Sequence, residues 1–167
     1  MRIQLPALGR RKVPTGSRYR VLLVCSSGGH LAQLLVLRPW WDDHDRTWVC
    51  FDTPDALGVL DGERLVRCHH PTTRNIPNLL RNLLLALGTL RAERPDVIVS
   101  DGAGVAVPFF WLGRLFGART VYLEVYDRID SATMTGRLVR PVTDLFLLQW
   151  DEQLANYPGA VVAGPVY

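Results

Sequence analysis

Residues 19–30 read Tyr19-Arg20-Val21-Leu22-Leu23-Val24-Cys25-Ser26-Ser27-Gly28-Gly29-His30, and this stretch decides the fold. The run 19–25 is β-branched and aliphatic, the composition of a short strand buried on both faces. It stops at a Ser-Ser-Gly-Gly turn, and residues 31–41 then carry apolar residues at helical spacing. Strand, glycine turn and helix in that order are the opening unit of a parallel α/β sheet.

The same plan returns further along. Residues 96–100 (DVIVS) form a second continuously aliphatic strand, Asp101-Gly102-Ala103-Gly104 a second glycine turn, residues 105–116 an apolar helix and residues 119–124 (RTVYLE) another strand. Between the two units, residues 47–52 (TWVCFD) and 64–69 read as strands separated by a polar segment holding Asp55, Gly58, Asp61 and Gly62. Apolar residues at 79, 80, 83, 84, 87 and 90 mark one face of a helix over 76–94, stopped by Pro95. A short helix over 131–140 and strands at 144–149 and 161–163 complete the chain. The expected architecture is one doubly wound, Rossmann-like α/β domain with a parallel sheet and right-handed crossovers.

Composition agrees with a globular chain. The 167 residues are 48% hydrophobic and 21% charged, which excludes a disordered, fibrous or disulfide-stapled protein. The net charge of +3 conceals an asymmetry, because Arg2, Arg10, Arg11, Lys12, Arg18 and Arg20 stand in the first 20 residues without one acid. The remaining body is slightly acidic, which argues against a nucleic-acid groove. The arm, residues 1–18, reads first as a solvated leader; its functional reading is attraction to an anionic membrane, worth about 1 kcal/mol per cation at the surface. No secretory signal pattern follows it. Cys25, Cys50 and Cys68 lie far apart in apolar runs and read as reduced, cytosolic core thiols. Cys68-His69-His70 cannot all face one ion from a strand, and Asp43-His44-Asp45 falls at the wrong edge of the sheet for its D-x-D spacing to matter. No uncharged apolar run is long enough to span a bilayer.

In an open parallel sheet, ligands bind beyond the carboxyl ends of the strands, at the switch in strand order. Three strand ends therefore matter: residues 26–30, 100–104 and 124–128. Glycines in the first two allow close approach to the backbone, and the helix N-termini that follow offer free N–H groups to a phosphate. Ser26, Ser27, Gly28, Gly29, Asp101, Gly102 and Gly104 are the binding candidates, and the pairing points to a diphosphate. The full G-x-G-x-x-G fingerprint is missing, which disfavours nicotinamide. His30 sits where the first turn becomes helix, so the expectation is a neutral ring able to accept a proton; a polar surface histidine is its bland alternative. Glu124 ends an apolar strand, where a carboxylate needs a partner. Arg128 is the candidate, in a catalytic or a merely structural ion pair.

These motifs resemble a family. Ser26-Ser27-Gly28-Gly29-His30, Arg94-Pro95-Asp96 with Gly102-x-Gly104, Glu124-x-x-x-Arg128 running to Thr135-Gly136-Arg137, and Gln149-Trp150 with Tyr157-Pro158 and Gly164 are similar to the membrane-recruiting subunit of the two-chain UDP-N-acetylglucosamine transferase of lipid-linked oligosaccharide assembly. The PssD-like proteins of bacterial capsule and exopolysaccharide synthesis belong to the same group. The resemblance covers residues 19–167.

It implies the N-terminal, acceptor-side half of a split GT-B glycosyltransferase, with a separate chain supplying the half that holds the UDP-sugar. The reaction implied is an inverting transfer onto a polyprenyl-diphosphate-linked saccharide, with no metal or other cofactor. His30 or Glu124 would act on the attacking hydroxyl, while the glycine turns and Arg128 hold the acceptor. A competing reading leaves the chain without chemistry, as a membrane scaffold for the catalytic partner; a free-standing nucleotide-binding enzyme is disfavoured. The sequence departs from the family in two places. The spanning segment that begins eukaryotic members is not met, and the family's Asn-Gly is Asp101-Gly102. The protein is thus expected to be peripheral on the cytoplasmic face of the membrane, held by the arm and by apolar surface of residues 79–90 and 105–116. Phe109, Phe110 and Trp111 would insert and Arg114 would reach the phosphates, unless both helices are simply buried.

Overall fold

A computed structural model of the protein describes residues 18–166; the arm before Arg18, on which the membrane-attraction reading rests, and Tyr167 lie outside the described residues. In chain order the elements are β1 (Arg20–Val24), α1 (Gly29–Val36), α2 (Arg38–Trp41), β2 (Asp45–Cys50), α3 (Pro54–Val59), β3 (Leu65–Arg67), α4 (Ile76–Glu93), β4 (Val97–Ser100), α5 (Ala106–Leu115), β5 (Arg119–Leu123), α6 (Met134–Val139), β6 (Leu145–Leu148) and β7 (Val161–Val162). Short 3₁₀ turns at Arg140–Val142 and Asp151–Ala155 flank β6.

All seven strands are parallel and lie in the order β3-β2-β1-β4-β5-β6-β7, so the switch in strand order falls between β1 and β4. Alternation along β1 divides the core. Val21 and Leu23 pack with Leu31, Leu34, Trp41 and Trp48 against α1 and α2, while Leu22 and Val24 pack with Phe109, Phe110 and Leu90 against α4 and α5. Burial on both faces explains the unbroken aliphatic runs of β1 and β4.

Two expectations need correction. The helix expected over 31–41 is two helices meeting at Leu37, because Pro39 has no N–H to give the preceding turn. The polar segment 53–62 contains α3, opened by Thr53 with Pro54 in its first turn, and it buries Ala56 and Leu60.

Helix α4, read either as apolar surface or as simply buried, exposes the leucines of its first half. Leu79, Leu80, Leu83 and Leu84 do not face the sheet: Leu80 is 56% and Leu84 70% exposed. The face of α4 turned inward carries Asn78, Asn82, Ala86, Thr89 and Leu90. Asn82 accepts from the His69 N–H (2.8 Å) and donates to the His69 carbonyl (2.9 Å), and Asn78 donates to the Pro71 carbonyl (3.0 Å). The irregular chain leaving β3 has no ladder partner there, so buried amides on α4 satisfy its backbone.

On α5, Phe109 and Phe110 are fully buried, and Arg114 is held by Asp144 at 2.6 Å, so neither the phenylalanines nor this arginine is available to a bilayer. Trp111 remains partly exposed, its indole donating to the Leu138 carbonyl.

Candidate active site

The strand ends at the switch point open into a cleft of about 1410 Å³ lined from every side of the topology. Ser26, Ser27, Gly29 and His30 come from the β1–α1 turn, Gly102 and Gly104 from the β4–α5 turn, and Arg128 and Thr133 from the β5–α6 loop. The volume exceeds the 300–1,000 Å³ usual for a single small ligand. A second cavity, about 260 Å³, lies at the opposite ends of the strands between Arg20, Asp45 and Arg64. Those side chains are already ion-paired, Arg20 to Asp96 and Arg64 to Asp45, and the cavity carries no comparable chemistry.

Gly28, with φ 70°, turns the chain into α1, and its position is not served by any side-chain cap. The α1 N-terminus and its partial positive charge lie at the cleft, which Gly29 and His30 line. His30, in that first turn, points its Nδ1 at Asp101 Oδ2, 3.1 Å away. Asp101 is fully buried and does not line the cleft; its contact is the imidazole, and its other oxygen has no hydrogen-bond partner. The expected direct contact of Asp101 with substrate is thereby replaced by support of His30.

Burial pushes the Asp101 carboxyl up to about 6, against the opposing pull of His30. Burial acts on His30 in the other sense, but the hydrogen bond and charge of Asp101, aided by Asp127, outweigh it and raise the imidazole above its ordinary value. The lowering expected from the helix terminus is thus outweighed by this carboxylate.

Gly102 makes the pair possible. Its φ of 136° is open to glycine, and Ser100 Oγ accepts its N–H at 3.1 Å. Gly104 is crowded instead by Thr72, part of the chain leaving β3.

Glu124 does not pair with Arg128. It is fully buried, and its carboxylate accepts from the Val125 N–H at 3.0 Å and from Thr133 Oγ1 at 3.0 Å. Burial raises its pKa against those hydrogen bonds. Thr133 stands between this carboxylate and the cleft, so Glu124 braces the β5–α6 loop, while His30, His70 and Asp127 line the open space. Arg128 lines the cleft with an exposed side chain.

Side chains that sequence reasoning assigned no role in the site hold that loop. Gln149 Nε2 donates to the Glu124 carbonyl (2.9 Å), Gln153 Nε2 to the carbonyls of Val125 and Arg128 (both 3.1 Å), and the Trp150 indole to that of Tyr126 (2.9 Å). The segment after β3 was missed as well. His70, bonded to Asp52 at 3.0 Å, and Thr72, Thr73 and Arg74 all line the cleft. The strand-end rule that pointed to residues 26–30 applies equally to β3, and would have found them.

The profile of the family described as "Oligosaccharide biosynthesis protein Alg14 like" matches residues 60–166. The UDP-N-acetylglucosamine transferase subunit ALG14 of Candida albicans is 24% identical over 178 residues, covering 93% of this chain and 81% of the relative. The human subunit of that name is 26% identical over 177 residues, covering 87% and 82%. Among solved structures, Acinetobacter baumannii MurG superposes with a TM-score of 0.65 at 15% identity over 80% of this chain, and Rickettsia bellii UDP-N-acetylglucosamine 2-epimerase with 0.66 at 12% over 90%. These two show the fold alone, a Rossmann-like half. The chain spans only 42% and 46% of their lengths.

Proposed function

The chain belongs to the Alg14 family, and from that premise we propose that it is the acceptor-side subunit of a split UDP-sugar glycosyltransferase acting on a polyprenyl-diphosphate-linked saccharide. The observation that carries the reading is the His30–Asp101 pair at the mouth of a large cleft, beside the N-terminus of α1. The relatives it resembles are named as subunits of a UDP-N-acetylglucosamine transferase, which supports a separate chain as the donor-binding half.

In this reading the acceptor diphosphate lies against the α1 N-terminus and the two glycine turns, with Arg128 at the rim. Asp101 Oδ2 accepts a hydrogen bond from Nδ1–H of His30, which leaves Nε2 with the lone pair. The acceptor hydroxyl attacks the anomeric carbon of the donor sugar from the face opposite UDP. The new C–O bond forms, the bond to the UDP oxygen breaks with its electron pair, and the hydroxyl proton passes to Nε2. Inversion follows from the single displacement. Helix termini and arginine meet the acceptor charge, so the reading requires no metal. Contributions of this kind from a positioned base are about 10²- to 10⁴-fold.

The proposal includes peripheral attachment at the cytoplasmic face. No helix among the described residues is long and apolar enough to cross a membrane. The exposed ridge Leu80, Leu83 and Leu84 supports lying on one, as does the stretch 64–92, which holds five arginines and no acid. A setting in bacterial capsule or exopolysaccharide assembly is part of the same proposal and is supported by the shared motifs.

The test is co-expression with the neighbouring gene's product and assay against a panel of UDP-sugars and polyprenyl-diphosphate saccharides. Transfer is expected only when both chains are present. Robust transfer by this chain alone would overturn the split-site reading.

A further inference from the structure

We infer that the apolar end of the cleft is a track for the hydrocarbon chain of the acceptor, formed by Ile76 and Leu79 of α4, Val107 of α5 and Met134 and Leu138 of α6. This rests on the acceptor reading above and adds to it where the lipid runs.

The residues lie on three helices that cover the same face of the sheet, and α5 packs between its two neighbours. The five side chains line the same cleft as His30 and the glycine turns. Ile76, Leu79, Met134 and Leu138 are exposed, Met134 to 70%, although burying such side chains ordinarily stabilises a fold by about 1.5–3 kcal/mol each. The helices could have turned them inward only by exposing Asn78 and Asn82, which the backbone after β3 requires.

The apolar lining does not end at the cleft mouth. From Ile76 and Leu79 it continues one helical turn at a time along α4 through Leu80, Leu83 and Leu84. One cleft thus joins an anion-binding end to an open hydrocarbon end, with Arg74 and Arg128 on its lining. That is the complement of a molecule with a diphosphate head and a long apolar tail. A water-soluble sugar phosphate would leave the apolar end unused, and a docked protein partner would close the route to His30.

The experiment uses the two-chain complex in detergent and two acceptors with the same saccharide diphosphate head, one on a long polyprenyl chain and one on a single five-carbon isoprenyl unit. The variants are the double change Leu79→Asn with Met134→Gln, and Val59→Asn, an exposed apolar residue of α3 that does not line the cleft. The double variant is expected to lose at least ~10-fold in kcat/KM for the long-chain acceptor, the worth of one buried aliphatic group, and less than ~2-fold for the short one. Val59→Asn should leave the ratio unchanged.

Direct binding of long- and short-chain prenyl diphosphates to the wild-type complex reads the track without sugar transfer, and the long chain is expected to bind at least ~10-fold tighter. Absence of chain-length preference in the wild type overturns the proposal, as does equal loss on both acceptors in the double variant. A binding preference that persists where no sugar is transferred would overturn the transferase reading and leave the track standing.

Discussion

A Cβ placed on Gly102 would lie 2.8 Å from Cε1 of His30, so the second glycine turn is shaped around the ring carried by the first. The two turns are more than 70 residues apart in the chain and meet because β1 and β4 are neighbours at the switch in strand order. Gly102→Ala should displace the imidazole and also strain a backbone at φ 136°. Transfer is expected to fall at least ~10²-fold, with stability reduced by about 1–3 kcal/mol. Steady-state kinetics of the complex and thermal unfolding check the two effects separately.

His30→Ala removes the proposed base while leaving the β1–α1 turn intact. Turnover should drop at least ~10²-fold with partner binding unchanged. Pull-down of the partner at wild-type yield alongside unaltered kcat would return His30 to a surface role.

The pH dependence follows from the direction of the shifts. His30 must be deprotonated to act, and Asp101 raises its pKa above 6.5, so the acid limb of kcat/KM should lie above that pH. Asp101→Asn keeps an acceptor for Nδ1–H but removes the charge, and should move the limb to lower pH with a lower plateau. Stability changes in the same window. A raised carboxyl, here from 3.8 to about 6, and a raised imidazole both favour the protonated folded state. Their contribution is therefore full at low pH and lost as pH rises through about 4 to beyond 6.5. Denaturant titrations of the wild type should show this decline, and Asp101→Asn should flatten it.

Helix α4 makes an inverted prediction about its own residues. Asn82→Ala, a polar-to-small change, should cost about 1–3 kcal/mol because it strands the His69 N–H and carbonyl. Leu84→Ser, which removes a large apolar group, should change stability by no more than about 0.5 kcal/mol, as for other exposed sites. The same Leu84→Ser protein should sediment less with anionic vesicles. Added salt should weaken wild-type sedimentation without abolishing it, since charge is screened over about 10 Å at 0.1 M and apolar contact is not.

Much of this was legible in the residues. Continuous aliphatic strands after and before glycine turns specify a parallel sheet, because a strand buried on both faces tolerates no alternation. The turn at Gly28 and Gly29 placed His30 at a strand's carboxyl end, because helix and strand lengths leave no other position for it. Tertiary structure decided what distant residues do to one another. The side chain of Asp101 supports His30 rather than a ligand because a buried carboxylate takes the nearest donor, and that donor lies 71 residues away. Glu124 turns to Thr133 for the same reason, leaving Arg128 free to line the cleft. The apolar stripe of α4 names a helix but not its inward side; the unpaired backbone after β3 drew Asn78 and Asn82 inward and left the leucines outside. Periodicity records which residues share a face, and only the packed chain settles which face has polar backbone waiting for it.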